Sequence, residues 1–224
     1  LKNFLLSLYW YRSPFFYAIM RLMSNRAALV SGVLLSLIVL MAIFAPLITK
    51  TSYEEQKFLI TSLAFPSQTH WFGVDDLGRD LFSRIVYGER VSLTIGFAAA
   101  ICSVFIGLPL GALSGFYGGK VDWVIMRIIE VFSVVPPLIA ALLLAALVDG
   151  GFLSIIFIAG IFGWVQVCLL VRAQVMAFKE KEFIRSSLAL GASPMYVIFV
   201  HLIPNSISPI IVGFVQAIPL AMML

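Results

Sequence analysis

Long apolar runs, each about the length needed to cross a bilayer, alternate along this chain with short polar segments. Ala27 to Ile48 is the first, ending near Ala45-Pro46. Val91 to Tyr117 is the second and carries Gly96, Gly107, Pro109, Gly111 and Gly115. Val121 to Val148 is the third, with Pro136-Pro137 inside it, and Asp149-Gly150-Gly151 predicts a tight turn after it. Phe152 to Val171 is the fourth, and a fifth runs from Ile203, still apolar at Leu224. Leu1 is not a start methionine, so the expectation is a fragment at both ends, five spans in view. The pattern predicts an all-α integral membrane protein, a polytopic bundle of transmembrane helices.

The polar segments divide the chain. Residues 1–26 mix aromatic residues with Lys2, Arg12, Arg21 and Arg26. Ser13-Pro14 predicts a helix start, with serine as cap and proline at the first position. The following FFYAIMRLM reads as an amphipathic helix at the membrane surface. Residues 27–48 are the first span, and residues 49–90 form an external loop with an elbow helix. Residues 91–224 form the main body of spans two to five, with two short helices between 180 and 202.

Composition agrees with the pattern. Hydrophobic residues make up 62% of the chain, charged residues 12%, and the mean hydropathy is +1.06. Soluble domains carry about twice that charge. The net charge of +4 is spread over the loops, which excludes a nucleic-acid surface and leaves the basic residues as topology markers in contact with lipid headgroups. Cys102 and Cys168 both lie in apolar runs and read as buried small hydrophobes.

Charge also predicts orientation. The first segment has four basic and no acidic residues, whereas residues 49–90 have five basic and six acidic. Lys and Arg collect on the cytoplasmic side. The N-terminus is therefore expected inside and residues 49–90 outside. Four crossings return Arg172, Lys179, Lys181 and Arg185, with Glu180 and Glu182, to the cytoplasm.

That returning segment has an unusual make-up. Glu182 to Leu190 reads as a helix with acids at its start, as the helix dipole prefers. Gly191 suits a left-handed ending, and Ser193-Pro194 restarts a helix expected to run to His201. Pro204 marks entry into the fifth span. Such a helix–turn–helix either serves as a rigid handle for a soluble partner or lies as an ordinary interfacial loop.

Three stretches resemble one family, the permease subunits of the oligopeptide, dipeptide and nickel branch of ABC importers, C-type. Arg185-Ser186-Ser187, Gly191 and His201-Leu202-Ile203-Pro204 fall on the family pattern Glu-Ala-Ala, three residues, Gly, nine residues, Ile-x-Leu-Pro. Arg-Ser-Ser replaces Glu-Ala-Ala here, and Glu182 lies one turn earlier as a partial substitute. HWFGVDDLGRDLFSRIVYGERVSL, residues 70–93, is similar to the stretch before the second span. It supplies Asp75, Gly78, Arg79, Asp80, Arg84 and Arg90. Asp80 can start a helix there, and Arg84 and Arg90 can reach headgroups. Residues 107–137 resemble the family again at Gly111, Gly115, Tyr117, Gly118, Gly119, Asp122, Met126, Arg127 and Pro136. Arg21 to Arg26 fits the C-type subunit too.

The resemblance implies a type I importer permease with a further span beyond those visible. It implies that Glu182, Arg185, Ser186, Ser187, Leu188, Ala189, Gly191, Ala192, Ser193 and Pro204 form the ATPase-coupling segment. The implied partners are a homologous second permease, two cytoplasmic ATPase subunits or domains, and an external binding protein. The chain would hold no cofactor; ATP and Mg would be bound by the ATPase. The cargo would be peptides or a related small solute, and the location a bacterial inner membrane. From the residues themselves, Gly107, Gly111 and Gly115 share one helix face and allow close helix approach. Arg127 and Glu130 can pair across one turn or line a gate.

No Walker motif, catalytic triad or metal-ligand cluster is legible, and His70 and His201 fall on opposite sides of the membrane. The chain is therefore expected to be no enzyme. The rival readings are an ion-gradient-driven secondary transporter or channel subunit, which Pro136-Pro137 favours and the scarcity of acids in the spans disfavours, and a scaffold.

Overall fold

A computed structural model describes residues 23–49, 53, 63–147 and 151–223. The amphipathic helix expected before residue 23 and the turn at Asp149-Gly150 lie outside the described residues. Apart from the loop at 63–80 and short turns, the described residues are helical, with no strand among them beyond an isolated Val74–Asp80 bridge. The chain is an all-α polytopic membrane protein. It divides into two compact units, Leu1–Arg90 and Val91–Leu224.

In the first unit, α1 spans Arg26–Ile43 and starts where the side chain of Asn25 accepts from the Ala27 N–H at 3.0 Å. The short α2, Ala45–Ile48, carries Pro46 in its first turn, where no N–H is needed. Residues 63–80 form a folded loop rather than a helix. Gly73, at φ +80°, lies so close to the Ala64 carbonyl that a Cβ would sit 2.5 Å from its oxygen. Trp71 and Phe72 pack their rings on Phe82 at the start of the next helix, centroids 4.9 and 5.4 Å apart.

Helix α3, Leu81–Tyr117, is uninterrupted. The sequence predicts an elbow helix feeding a separate span from Val91, and the structure merges the two. Gly88 is the weakest helix former between Leu81 and Val91, and a single glycine costs about 1 kcal/mol, too little to end a helix. Gly118 and Gly119, at φ +62° and +52°, then turn the chain into α4, Gly119–Val134.

The expected third span does not run straight. Helix α4 ends at Val134, and α5, Pro137–Leu147, leaves at 82° to it. Val135, forced out of the helical region by the proline after it, is extended at φ −85°, ψ 121°. The expected fourth span is longer than its apolar run: α6 covers Phe152–Lys179. Residues 172–179 contain no breaker, and Val175 and Phe178 still face the core.

Two residues later comes α7, Glu182–Ala189. Helix α8 spans Pro194–Asn205, with Val197–Leu202 wound as a π-helix. The fifth span does not begin at Ile203. The break falls at Ser206, where α9, Ile207–Met223, departs at 69°. Pro204 is tolerated inside α8 because the preceding turn is already wide. The Ile203 N–H reaches five residues back, to the Ile198 carbonyl, which leaves room for the ring.

Among the described residues, three helices are long and apolar enough to cross a membrane, and counting each of the bent pairs α4–α5 and α8–α9 as one span raises the number to five.

The second unit is organised on α6. Gly107, Gly111 and Gly115 of α3 lie directly against its backbone: a Cβ would fall 2.6, 2.5 and 2.7 Å from the carbonyls of Trp164, Cys168 and Arg172. Ser103 continues the same face, its hydroxyl donating to the Gly160 carbonyl at 3.2 Å. Helix α9 packs on another side of α6, with Gly213 against Leu170 and Val167.

Candidate functional site

The segment from α7 to α8 is tied to the spans through one buried core. Ile184 of α7, Val197, Ile198 and Leu202 of α8, Val167, Val171 and Val175 of α6, and Ala112 and Phe116 of α3 cluster together. Ile184, Val197 and Leu202 have no exposed surface. Leu188 and Ala192 pack at the edge of this core. The His201 ring lies within reach of Tyr196 and of Phe183, centroids 5.6 and 6.3 Å away, which links the two short helices again.

The turn between them is closed by backbone bonds. The Gly191 N–H donates to the Leu188 carbonyl at 3.0 Å and the Ala192 N–H to the Ser187 carbonyl at 3.1 Å. This closure needs a left-handed residue, and Gly191 supplies it at φ +89°. The Ser193 hydroxyl accepts from the Tyr196 N–H at 3.3 Å and starts α8, with Pro194 in its first turn.

Glu182, Arg185, Ser186, Ala189 and Ser193 point outward. Arg185 bonds to Glu180 rather than to Glu182. Both partners are well exposed, so the pair contributes little. The family pattern itself marks neither of two residues that the packing singles out. Ile184 is its buried root. Leu190, 89% exposed at the tip, is a large apolar side chain held out by the turn. A leucine directly before a left-handed glycine was the available signal.

The residues of the 70–90 stretch converge on two carboxylates. Asp75 accepts from the N–H groups of Leu77 and Arg79, both at 2.9 Å, from the Arg79 guanidinium at 2.8 Å, and from Arg84. Burial opposes its ionisation. The hydrogen bonds from Arg79, Leu77 and Arg84 outweigh burial and lower its pKa from 3.8 to about 2. Arg84 therefore points to Asp75, not only toward headgroups.

Asp80 is buried and caps α3, accepting from the Ser83 N–H at 2.8 Å and meeting His70 Nδ1 at 2.9 Å. Burial raises its pKa, but Ser83 and His70 prevail and hold it below the usual value. Gly78, at φ +75°, makes the turn between these groups, and Arg90 is exposed on α3.

Arg127 and Glu130 bond to each other on one face of α4, both about half exposed, and Arg127 also lies over the Trp123 ring at 5.6 Å. A second charged group was missed. Asp122, in the first turn of α4, receives two hydrogen bonds from Arg172 of α6 and one from Ser114 of α3. Asp122 carries part of the family resemblance in the sequence, and Arg172 reads there as a topology marker. Fifty residues of chain separate them.

Residues 107–224 match the family described as binding-protein-dependent transport system inner membrane component. Residues 13–66 match the N-terminal transmembrane domain of oligopeptide transport permease C. The chain is 39% identical over 204 residues to the oligopeptide transport system permease protein OppC of Bacillus subtilis (strain 168), covering 91% of this chain and 67% of the relative. It is 38% identical over 210 residues to the dipeptide transport system permease protein DppC of Alkalihalophilus pseudofirmus, covering 92% and 69%. It is 32% identical over 194 residues to the glutathione transport system permease protein GsiD of Pectobacterium atrosepticum, covering 87% and 64%. The chain thus spans about two thirds of the length of these relatives.

Proposed function

The chain belongs to the family of binding-protein-dependent transport system inner membrane components, and from that premise we propose that it is a permease subunit of an ATP-driven peptide importer. In this reading it pairs with a homologous permease in a bacterial inner membrane, its N-terminus in the cytoplasm. An external binding protein delivers the cargo. Two ATPase subunits or domains hold ATP and magnesium and hydrolyse the nucleotide; this chain is a non-enzymatic transport component. Peptides are the cargo class because the relatives are named for oligopeptides, dipeptides and glutathione.

One observation carries the mechanism. A short helical hairpin, α7–turn–α8, exposes Leu190 at its tip and sinks Ile184 into the core shared by α3, α6 and α8. A partner that grips the tip and moves it displaces the spans with it, because close-packed cores transmit displacement instead of absorbing it. Closure of the ATPases on ATP would drive that grip, and alternating access would follow as a rocking of the two permeases.

The broken helix α4–α5 is the feature shared with gradient-driven carriers. The break itself is apolar, from Val134 to Leu138, and offers no carboxylate to couple an ion.

Cysteine crosslinking tests the reading. With Ala189→Cys or Ala192→Cys, the ATPase that copurifies with the chain should crosslink to the hairpin, with a yield that changes on adding ATP. An absence of copurifying ATPase, or no crosslink at either position, would reject the coupling role and favour a gradient-driven carrier.

A further inference from the structure

A part-buried ion pair joins α4 to α6. Arg172 Nε donates to Asp122 Oδ1 at 2.6 Å, and its Nη2 donates to Oδ2 at 2.7 Å. This is the planar fork-on-carboxylate arrangement, which fixes orientation as well as distance. The Ser114 hydroxyl donates to the same Oδ1. The side chains of the pair are 24% and 22% exposed. Three helices therefore meet at one carboxylate: α3 through Ser114, α4 through Asp122 and α6 through Arg172. Gly115, beside Ser114, lies against the Arg172 carbonyl, and the Lys179 ammonium lies 5.6 Å from the centre of the Phe116 ring. The Arg127–Glu130 pair differs: its members sit three residues apart on one helix and join nothing.

The neighbours of Arg172 on α6 show what the clasp is attached to. Val171 and Val175 belong to the core that holds Ile184, Val197, Ile198 and Leu202 of the hairpin. Helix α4 has no residue in that core. Its apolar hold on α6 is a separate, smaller cluster of Ile125, Ile129, Trp164 and Cys168. Burial and dispersion are non-directional, so a small apolar cluster fixes the orientation of α4 on α6 less firmly than a close-packed core does. A guanidinium fork adds that direction.

We propose that Asp122 and Arg172, supported by Ser114, are positioning residues that clasp α4 to α6 throughout the transport cycle, so that motion of the hairpin carries α4 as part of one body. The proposal rests on the importer reading above.

The test uses the full complex of both permeases, the ATPases and the binding protein in lipid, with Cys102→Ala in this chain. Spin labels go on Ala189→Cys in the hairpin and Val131→Cys on the exposed face of α4. In the wild-type background, the 189–131 distance should stay the same with and without ATP and vanadate. In Asp122→Asn or Arg172→Gln, it should become nucleotide-dependent by about 2 Å or more, the scale of helix shifts in switching proteins. A loss of stability alone would leave the distance unresponsive to nucleotide in those complexes that assemble. Ser114→Ala, which removes one hydroxyl, covers the case in which the charge variants fail to assemble, and it should broaden the distance distribution in ATP. A wild-type distance that changes with ATP would overturn the clasp. So would charge variants that assemble with a constant distance, or, where they do not assemble, a Ser114→Ala distribution like that of wild type. A preparation without ATPase rejects the importer reading instead and is recognised before any distance is measured.

Discussion

Gly111 shows how much one missing side chain decides. A Cβ at this position would lie 2.5 Å from the Cys168 carbonyl oxygen and 2.9 Å from the Val171 Cβ, and neither atom belongs to a flexible chain end. Gly88, in the same helix, has nothing within 4 Å. Gly111→Ala should therefore destabilise the protein by about 1–3 kcal/mol, the usual cost of overpacking. Gly88→Ala should be neutral or stabilise by up to about 1 kcal/mol through helix propensity. Thermal unfolding of the two variants in detergent checks the contrast, and equal melting temperatures would contradict it. The four-residue spacing of Gly107, Gly111 and Gly115 made this face legible in the sequence. Its partner was not legible, because a smooth face fits any helix that comes close, and only packing selects α6.

At the scale of elements, caps and turns followed local chemistry. Ser193-Pro194 and Gly191 act where their residue types predict, because each effect is complete within four or five residues. The loop before α3 has a pH signature of its own. Asp75 has a folded pKa of about 2 against an ordinary 3.8. A carboxylate with a lowered folded pKa contributes stability that is complete above the unfolded value and lost as pH falls through the folded value. The difference in melting temperature between wild type and Asp75→Asn should thus be constant above about pH 5, shrink between about pH 4 and pH 2, and vanish below. A difference independent of pH over that window would mean that Asp75 does not hold Arg79 and Arg84 as a carboxylate.

For the molecule as a whole, charge distribution and the number of apolar runs in the sequence predict that residues 63–80 and the hairpin lie on opposite sides of the membrane. Right-side-out vesicles treated with an impermeant maleimide should label Phe65→Cys and leave Leu190→Cys unlabelled until the membrane is opened, in a Cys102→Ala background. Both positions are 89% exposed, so accessibility within the protein does not separate them. Labelling of Leu190→Cys from outside would invert the orientation and remove the hairpin from the reach of any cytoplasmic ATPase.

Membrane class, helical architecture and the positions of the apolar runs were determined by the sequence alone, because a bilayer imposes length and polarity residue by residue. The family motifs and the glycine turns belong to the same short-range information. Tertiary structure decided where the helices bend and what they hold. The Pro136-Pro137 pair marked a weak point, but a proline in a membrane helix can be kinked, tolerated or broken according to its neighbours, and here the chain turns by 82°. The burial of Ile184 and the meeting of Ser114, Asp122 and Arg172 depend on residues distant in the chain. No spacing rule connects positions 50 residues apart; only the packing of α3, α4 and α6 brings their side chains to one carboxylate.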